Sequence, residues 1–156
     1  MHIHALIAPE RVACRQRATG KQQALELLSG LLARSVPDLS SAAILDGLLQ
    51  RERQGSTGLG RGVAVPHGRL SGLREPTGAF IQLETAVDYD ALDHRPVDLL
   101  FALLVPEEAT DTHLQLLAQL AQMFSDKAFS QQLLDSRTDQ ALYQLLLHWE
   151  PPRATA

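Results

Sequence analysis

Apolar residues recur at helical spacing over residues 21–34, where Ala24, Leu25, Leu28, Leu31 and Leu32 share one face, and Pro37 supplies a stop shortly beyond. A second helix is predicted to begin at a Ser40 or Ser41 cap, to carry Ile44, Leu45, Leu48 and Leu49 on one side, and to end before Gly55. Residues 55–62 hold four glycines in eight positions and read as a loop with wide backbone freedom. The pattern then changes period. Val63-Ala64-Val65 is a short strand running into Pro66-His67-Gly68, with a polar turn expected from there to about Thr77. Residues 78–85 alternate, with Ala79, Ile81 and Leu83 on one side and Phe80 on the other. Residues 97–105 form a nearly continuous apolar run, the signature of a strand buried on both faces. Beyond a turn at residues 106–111, a helix over 112–124 is predicted to bury Leu114, Leu117, Ala118, Ala121 and Phe124. Two more helices follow, near 127–134 and 139–149. Strands in the middle with helices at both ends predict an α/β fold, a mixed sheet flanked by helices on both faces.

With 156 residues and 45% hydrophobic content, the chain can close one sizeable core. A single domain over 1–150 is expected, with a disordered Pro-rich tail over 151–156. No apolar run approaches the roughly 20 residues a membrane helix needs, and the first residues do not resemble a secretory signal, so the expectation is a cytoplasmic protein with no membrane insertion. Cys14 is the only cysteine, which excludes an internal disulfide and suits a reducing compartment; it reads as a small buried residue. The net charge is −4 and the 14 Lys and Arg are scattered, which argues against nucleic acid as a partner.

The chemistry concentrates around Pro66-His67-Gly68. Pro66 fixes its own φ and Gly68 has no side chain, so the His67 imidazole is held and approachable. A neutral imidazole is a good nucleophile near pH 7. A phosphoryl group on it would need donors, which the hydroxyls of Ser56 and Thr57 and the N–H groups of the loop, Gly58 included, are expected to supply, with Gly68 giving the phosphate room. Arg51 can add a charge-assisted contact. His113 falls in the first turn of a helix, where the dipole disfavours imidazolium and favours anions. Taken singly, each is an ordinary turn, loop or surface residue. His2, His4, His94 and His148 are assigned to the surface or terminus.

The string from Gln50-Arg51-Glu52-Arg53 through Gly55-Ser56-Thr57-Gly58-Leu59-Gly60 to Val63-Ala64-Val65-Pro66-His67-Gly68-Arg69-Leu70 resembles the active-site segment of the type-2 enzyme IIA domains of the phosphoenolpyruvate:sugar phosphotransferase system, and most of all their nitrogen-regulatory branch. The match continues through residues 82–85, 96–106 and 112–114 and covers about 6–148. The resemblance implies that His67 accepts phosphate from a histidine-phosphocarrier protein, and that His113 and Arg51 complete the active site without a cofactor or metal. It also implies a regulatory phosphocarrier whose target is a kinase or an ion-transport regulator. An alternative is a sugar-uptake enzyme IIA serving a permease of fructose or mannitol type. A metal-dependent hydrolase using His67, His113 and Asp98 or Glu84 is the least favoured, since no recognised ligand spacing is present.

Overall fold

The apolar run near the middle of the chain becomes β6 (Val97–Pro106), and everything else is arranged around it. In the computed structural model, which describes residues 2–151, one six-stranded mixed sheet is built from β1 (Val12–Gln16), β2 (Gly58–Gly60), β3 (Val63–Ala64), β4 (His67–Leu70), β5 (Thr77–Val87) and β6. The order is β1-β5-β6-β3-β2, with β4 also on β6. β5 runs antiparallel to β6, while β3 and β4 run parallel to it along its other edge.

Helices cover both faces, as the sequence pattern predicts. On one side α1 (Lys21–Ala33) and α2 (Ser41–Arg53) bury Leu25, Leu28, Ile44 and Leu48 against Ile81, Leu100, Ala102 and Leu104. On the other, α3 (Thr110–Ser125), α4 (Lys127–Asp135) and α5 (Asp139–His148) bury Leu116, Leu120, Phe129 and Leu146 against Phe80, Phe101 and Leu103. Caps agree with the expected helix starts. The Ser40 hydroxyl accepts from the Ala43 N–H, and Asp126 and Thr138 do the same for α4 and α5.

Three expectations are corrected and one strand is added. The glycine stretch is only partly a loop: β2 pairs antiparallel with β3, and the reversal between them uses Gly60 and Gly62 at φ 88° and 84°. The segment after Pro66 is not a turn but β4. His67 pairs with Leu103 in the same offset that pairs Val63 with Leu99, so the strand is only interrupted at Val65 and Pro66, where proline has no N–H for the ladder. β1 was not visible in the pattern, because it is short, lies at the sheet edge and mixes Arg15 and Gln16 with apolar positions. The buried stripe of α3 is rotated: Leu116, Leu120, Met123 and Phe124 face the core, whereas Ala118 and Ala121 are exposed and Leu114 is 62% exposed. Several apolar stripes fit a helix this rich in Leu and Ala, and packing on Phe101 and Phe80 selects one. The expected tail lies, beyond Pro151, outside the described residues. Cys14 is buried, as expected.

The rotated stripe is directly testable. Leu120→Ala is expected to cost about 2–5 kcal/mol in urea unfolding, and Leu114→Ala to stay within about 0.5 kcal/mol; equal losses would contradict this orientation of α3.

Candidate active site

Three elements converge on His67. The residue opens β4, α2 crosses above it, and α3 begins four residues after β6 ends, beside the strand that carries it. α2 packs on β4 at two glycines. A Cβ on Gly68 would sit 3.5 Å from the Gly47 carbonyl oxygen, and one on Gly47 would come 2.6 Å from a Leu70 methyl. The last turn of α2 shares one cleft with the imidazole. Between these elements lies a cleft of about 400 Å³ lined by Gln50, Arg51, Gln54, His67, Arg69 and His113, with Gly68, Thr110 and Leu114 at its margin.

His67 is buried, 9% exposed, and its Nδ1 lies 2.8 Å from the Val65 carbonyl oxygen. A carbonyl only accepts, so Nδ1 carries the proton of the neutral ring and the lone pair belongs to Nε2. Burial pushes the His67 pKa down; the Val65 bond and the Glu52 carboxylate oppose this, and the Arg51 guanidinium reinforces it. The His113 ring stands 5.1 Å from that of His67, centroid to centroid, at 66°. Burial lowers its pKa too, helped by His67, Arg69 and Arg51. Its Nε2 is buried with no hydrogen-bond partner, and a buried polar atom left open at a cleft marks a place where a ligand completes the hydrogen bonding. Arg51 Nη1 donates to the Gly55 carbonyl at 2.8 Å, and Arg69 Nη1 to the Thr110 hydroxyl at 3.3 Å. No carboxylate lines the cleft. A chain of net charge −4 thus presents two guanidiniums around one neutral imidazole, a setting suited to an incoming oxyanion.

The structure therefore brings together His67, His113, Arg51 and Gly68. It does not bring Ser56, Thr57 and Gly58 to the cleft. Thr57 is buried, its hydroxyl donating to the Glu52 carboxylate with the Tyr89 hydroxyl 3.0 Å away; the Ser56 hydroxyl accepts from the Gly58 N–H and faces the Tyr89 carbonyl. Hydroxyls in a glycine-rich stretch read as free donors until the buried acceptor that claims them is known. Gly68 lines the cleft, and a Cβ there would point toward α2 at ordinary contact distance. Arg69, Gln50 and Gln54 were not singled out from sequence; Arg69, two residues from His67 in a strand, shares its side of the sheet, which is the signal that could have found it. Asp98 and Glu84 lie outside the cleft, Glu84 paired with Arg17, and among the described residues no group of three or more His, Cys, Asp or Glu is placed to hold a metal ion.

The fold is a mixed sheet covered by helices on both faces, with a cleft at β4 suited to an oxyanion, and the comparisons place it in a known class. The family model described as "Phosphoenolpyruvate-dependent sugar phosphotransferase system, EIIA 2" matches residues 5–149, and the chain belongs to this family. It is 42% identical over 147 residues to a nitrogen regulatory protein of Pseudomonas aeruginosa, covering 94% of this chain and 96% of that one. A nitrogen regulatory protein of Escherichia coli is 38% identical over 151 residues, covering 96% and 92%. Among solved structures, nitrogen regulatory protein IIA-Ntr of Neisseria meningitidis superposes with a TM-score of 0.87 at 39% identity, covering 92% of this chain and 98% of that one. Among the described residues, no helix is long and apolar enough to cross a membrane.

The lowered values set a pH expectation. In the folded state both rings bind protons less readily than at the ordinary value of 6.5, so the unfolded chain takes up more protons as pH falls below that value. Their contribution to stability is present above pH 6.5 and is lost as pH falls from there through the folded values. Imidazole NMR titration is expected to show His67 and His113 titrating below the ordinary value of 6.5, with the unfolding midpoint dropping in the same window; rings that titrate at or above 6.5 would contradict the described burial.

Proposed function

We propose that His67 accepts a phosphoryl group at Nε2 from the phosphohistidine of a histidine-phosphocarrier protein, and that the chain acts in the cytoplasm as a regulatory, nitrogen-type component of the phosphotransferase system. The observation that carries the chemistry is the Nδ1 to Val65 bond, which leaves the Nε2 lone pair as the ring's nucleophile. That pair forms the new N–P bond while the donor's N–P bond breaks and its electrons return to the donor ring. The positive charge that develops on the His67 ring rests on the Nδ1–H donated to the Val65 carbonyl. Arg51, Arg69 and the unpartnered Nε2 of His113 supply charge and a hydrogen bond to the transferring oxygens, which suits a reaction whose catalysis is positioning and electrostatics. Burial lowers the proton affinity of both rings and so favours the neutral form that leaves the His67 Nε2 lone pair free.

The regulatory assignment is supported by the relatives at 38–42% identity, which are named nitrogen regulatory proteins. The family's sugar-uptake reading keeps the same chemistry but requires an acceptor domain of a fructose- or mannitol-type permease to drain the phosphate. Phosphorylation adds about −1.5 to −2 charge, placed between Arg51 and Arg69 beside the exposed Leu114. A partner docking there must desolvate the new anion or offer it a cation. Differential affinity of that kind is what turns a modification into a signal, and a kinase or ion-transport regulator is the expected target.

Incubation with phosphoenolpyruvate, its first-step kinase and a histidine phosphocarrier is expected to place acid-labile phosphate on His67 alone. His67→Ala abolishes the label, and label persisting on His113 in that variant sinks the assignment. Arg51→Ala and His113→Ala fold normally and slow transfer by about 1.5–3 kcal/mol, the worth of a hydrogen bond to a charged group; parental rates would make them bystanders.

The switch is checked separately, by comparing partners captured by phosphorylated protein and by His67→Ala. At least one cytoplasmic partner is expected to differ by about tenfold or more in affinity. Identical partners and affinities for both forms leave a plain carrier.

A further inference from the structure

One buried carboxylate lies behind the site. Glu52, next in sequence to Arg51, is 8% exposed and takes bonds from three other parts of the chain. Lys21 Nζ, from the start of α1, is 2.7 Å from its Oε2, and the Tyr89 hydroxyl, just beyond β5, donates to Oε1 at 2.9 Å. The Thr57 N–H lies 3.3 and 3.4 Å from its two oxygens, and the Thr57 hydroxyl also donates to it. Lys21 further sits over the Tyr89 ring, 4.6 Å from its centroid.

Two paths lead from this cluster to the cleft. The Thr57 carbonyl accepts from the Val65 N–H at 3.0 Å, and the Val65 carbonyl is the acceptor of His67 Nδ1–H. The residues that join Glu52 to Thr57 include Gly55, whose carbonyl holds the Arg51 guanidinium. Gly55 has φ 152°, so this short connection follows a course that other residues resist, and it keeps that course while Thr57 is pinned. Pinning Thr57 therefore aims the nucleophile's ring through Val65 and the arginine through Gly55.

We propose that Glu52, held by Lys21 and Tyr89, is a positioning residue that sets the His67 tautomer and the place of Arg51 through Thr57. Its role needs an acceptor-only group. Four donors point at it, and a carboxylate offers two oxygens to them, whereas an amide has one oxygen and adds donors of its own. The Glu52 charge also offsets the effect of Arg51 on the His67 ring.

The test compares Glu52→Gln and Tyr89→Phe with the parent protein, using circular dichroism and a dispersed amide spectrum to establish folding. Two readings are taken at about pH 8, where histidine is neutral. The first is the His67 ring ¹⁵N pattern. The parent shows Nδ1–H, and the variants are expected to gain the Nε2–H tautomer. The second is the initial rate of His67 labelling by phosphocarrier, expected to fall by about tenfold or more in Glu52→Gln, as misplacement of reacting groups entails, and less in Tyr89→Phe. The rate reading rests on His67 being the acceptor; the tautomer reading does not. A parent that takes no label sinks the proposed function and leaves the tautomer reading to decide the positioning role. A folded Glu52→Gln that keeps either the parental tautomer or the parental rate overturns the inference. If Glu52→Gln does not fold, Tyr89→Phe decides by the same two readings.

Discussion

A strand buried on both faces can satisfy its peptide groups only through its neighbours, and β6 imposes that requirement on the whole molecule. β5 meets it on one edge, and on the other β3 and β4 meet it in turn, with the chain passing Pro66 between them. Because the offset is the same before and after the proline, the interruption costs little in the sheet. The Pro66 carbonyl still accepts from the Leu103 N–H at 2.9 Å. What it changes is local: Val65 turns its carbonyl to the His67 side chain, and the imidazole gains a fixed tautomer. The same strand then leads into α3, so both histidines are referred to β6.

The electrostatics follow from how this frame is closed. Two guanidiniums face the cleft with no carboxylate in its lining, while Glu52, the carboxylate that acts on His67, is turned inward and bonded to Lys21, Tyr89 and Thr57. A surface pair would be screened and of little worth. The buried one sits among donors that leave it no other arrangement, and removing a partner would strand a charge. The division keeps the positive side open to an anion and the negative side structural.

Much of this was legible in the sequence, and its limits are instructive. Among the described residues, apolar pattern identified the five α-helices, the alternating β5, the continuous apolar β6 and the short β3, because in those elements burial dictates residue type along the chain. It did not reveal β1, whose five residues at an edge carry too few buried positions, nor the rotation of α3, whose sequence permits more than one apolar face. Of the cleft, His67, His113 and Arg51 could be singled out because resemblance over the whole chain joined three separately ordinary residues. Arg69 was passed over, and the Ser56 and Thr57 hydroxyls, expected at the phosphate, lie away from the cleft on other partners.

The sequence by itself determined the helices, the longer strands, the layered α/β class and the family, and it pointed to the two histidines and the arginine, since each depends on local pattern or on a string of neighbouring residues. Tertiary structure alone decided what the polar groups do. The Thr57 hydroxyl belongs to Glu52 because Tyr89, 32 residues later, and Lys21, 31 residues before Glu52, close around the same carboxylate. The lone pair of His67 is on Nε2 because a strand interrupted at proline presents a carbonyl to Nδ1. Hydrogen bonds and charges act over a few ångströms in space with no period along the chain, so their partners become readable only once the fold has brought them together.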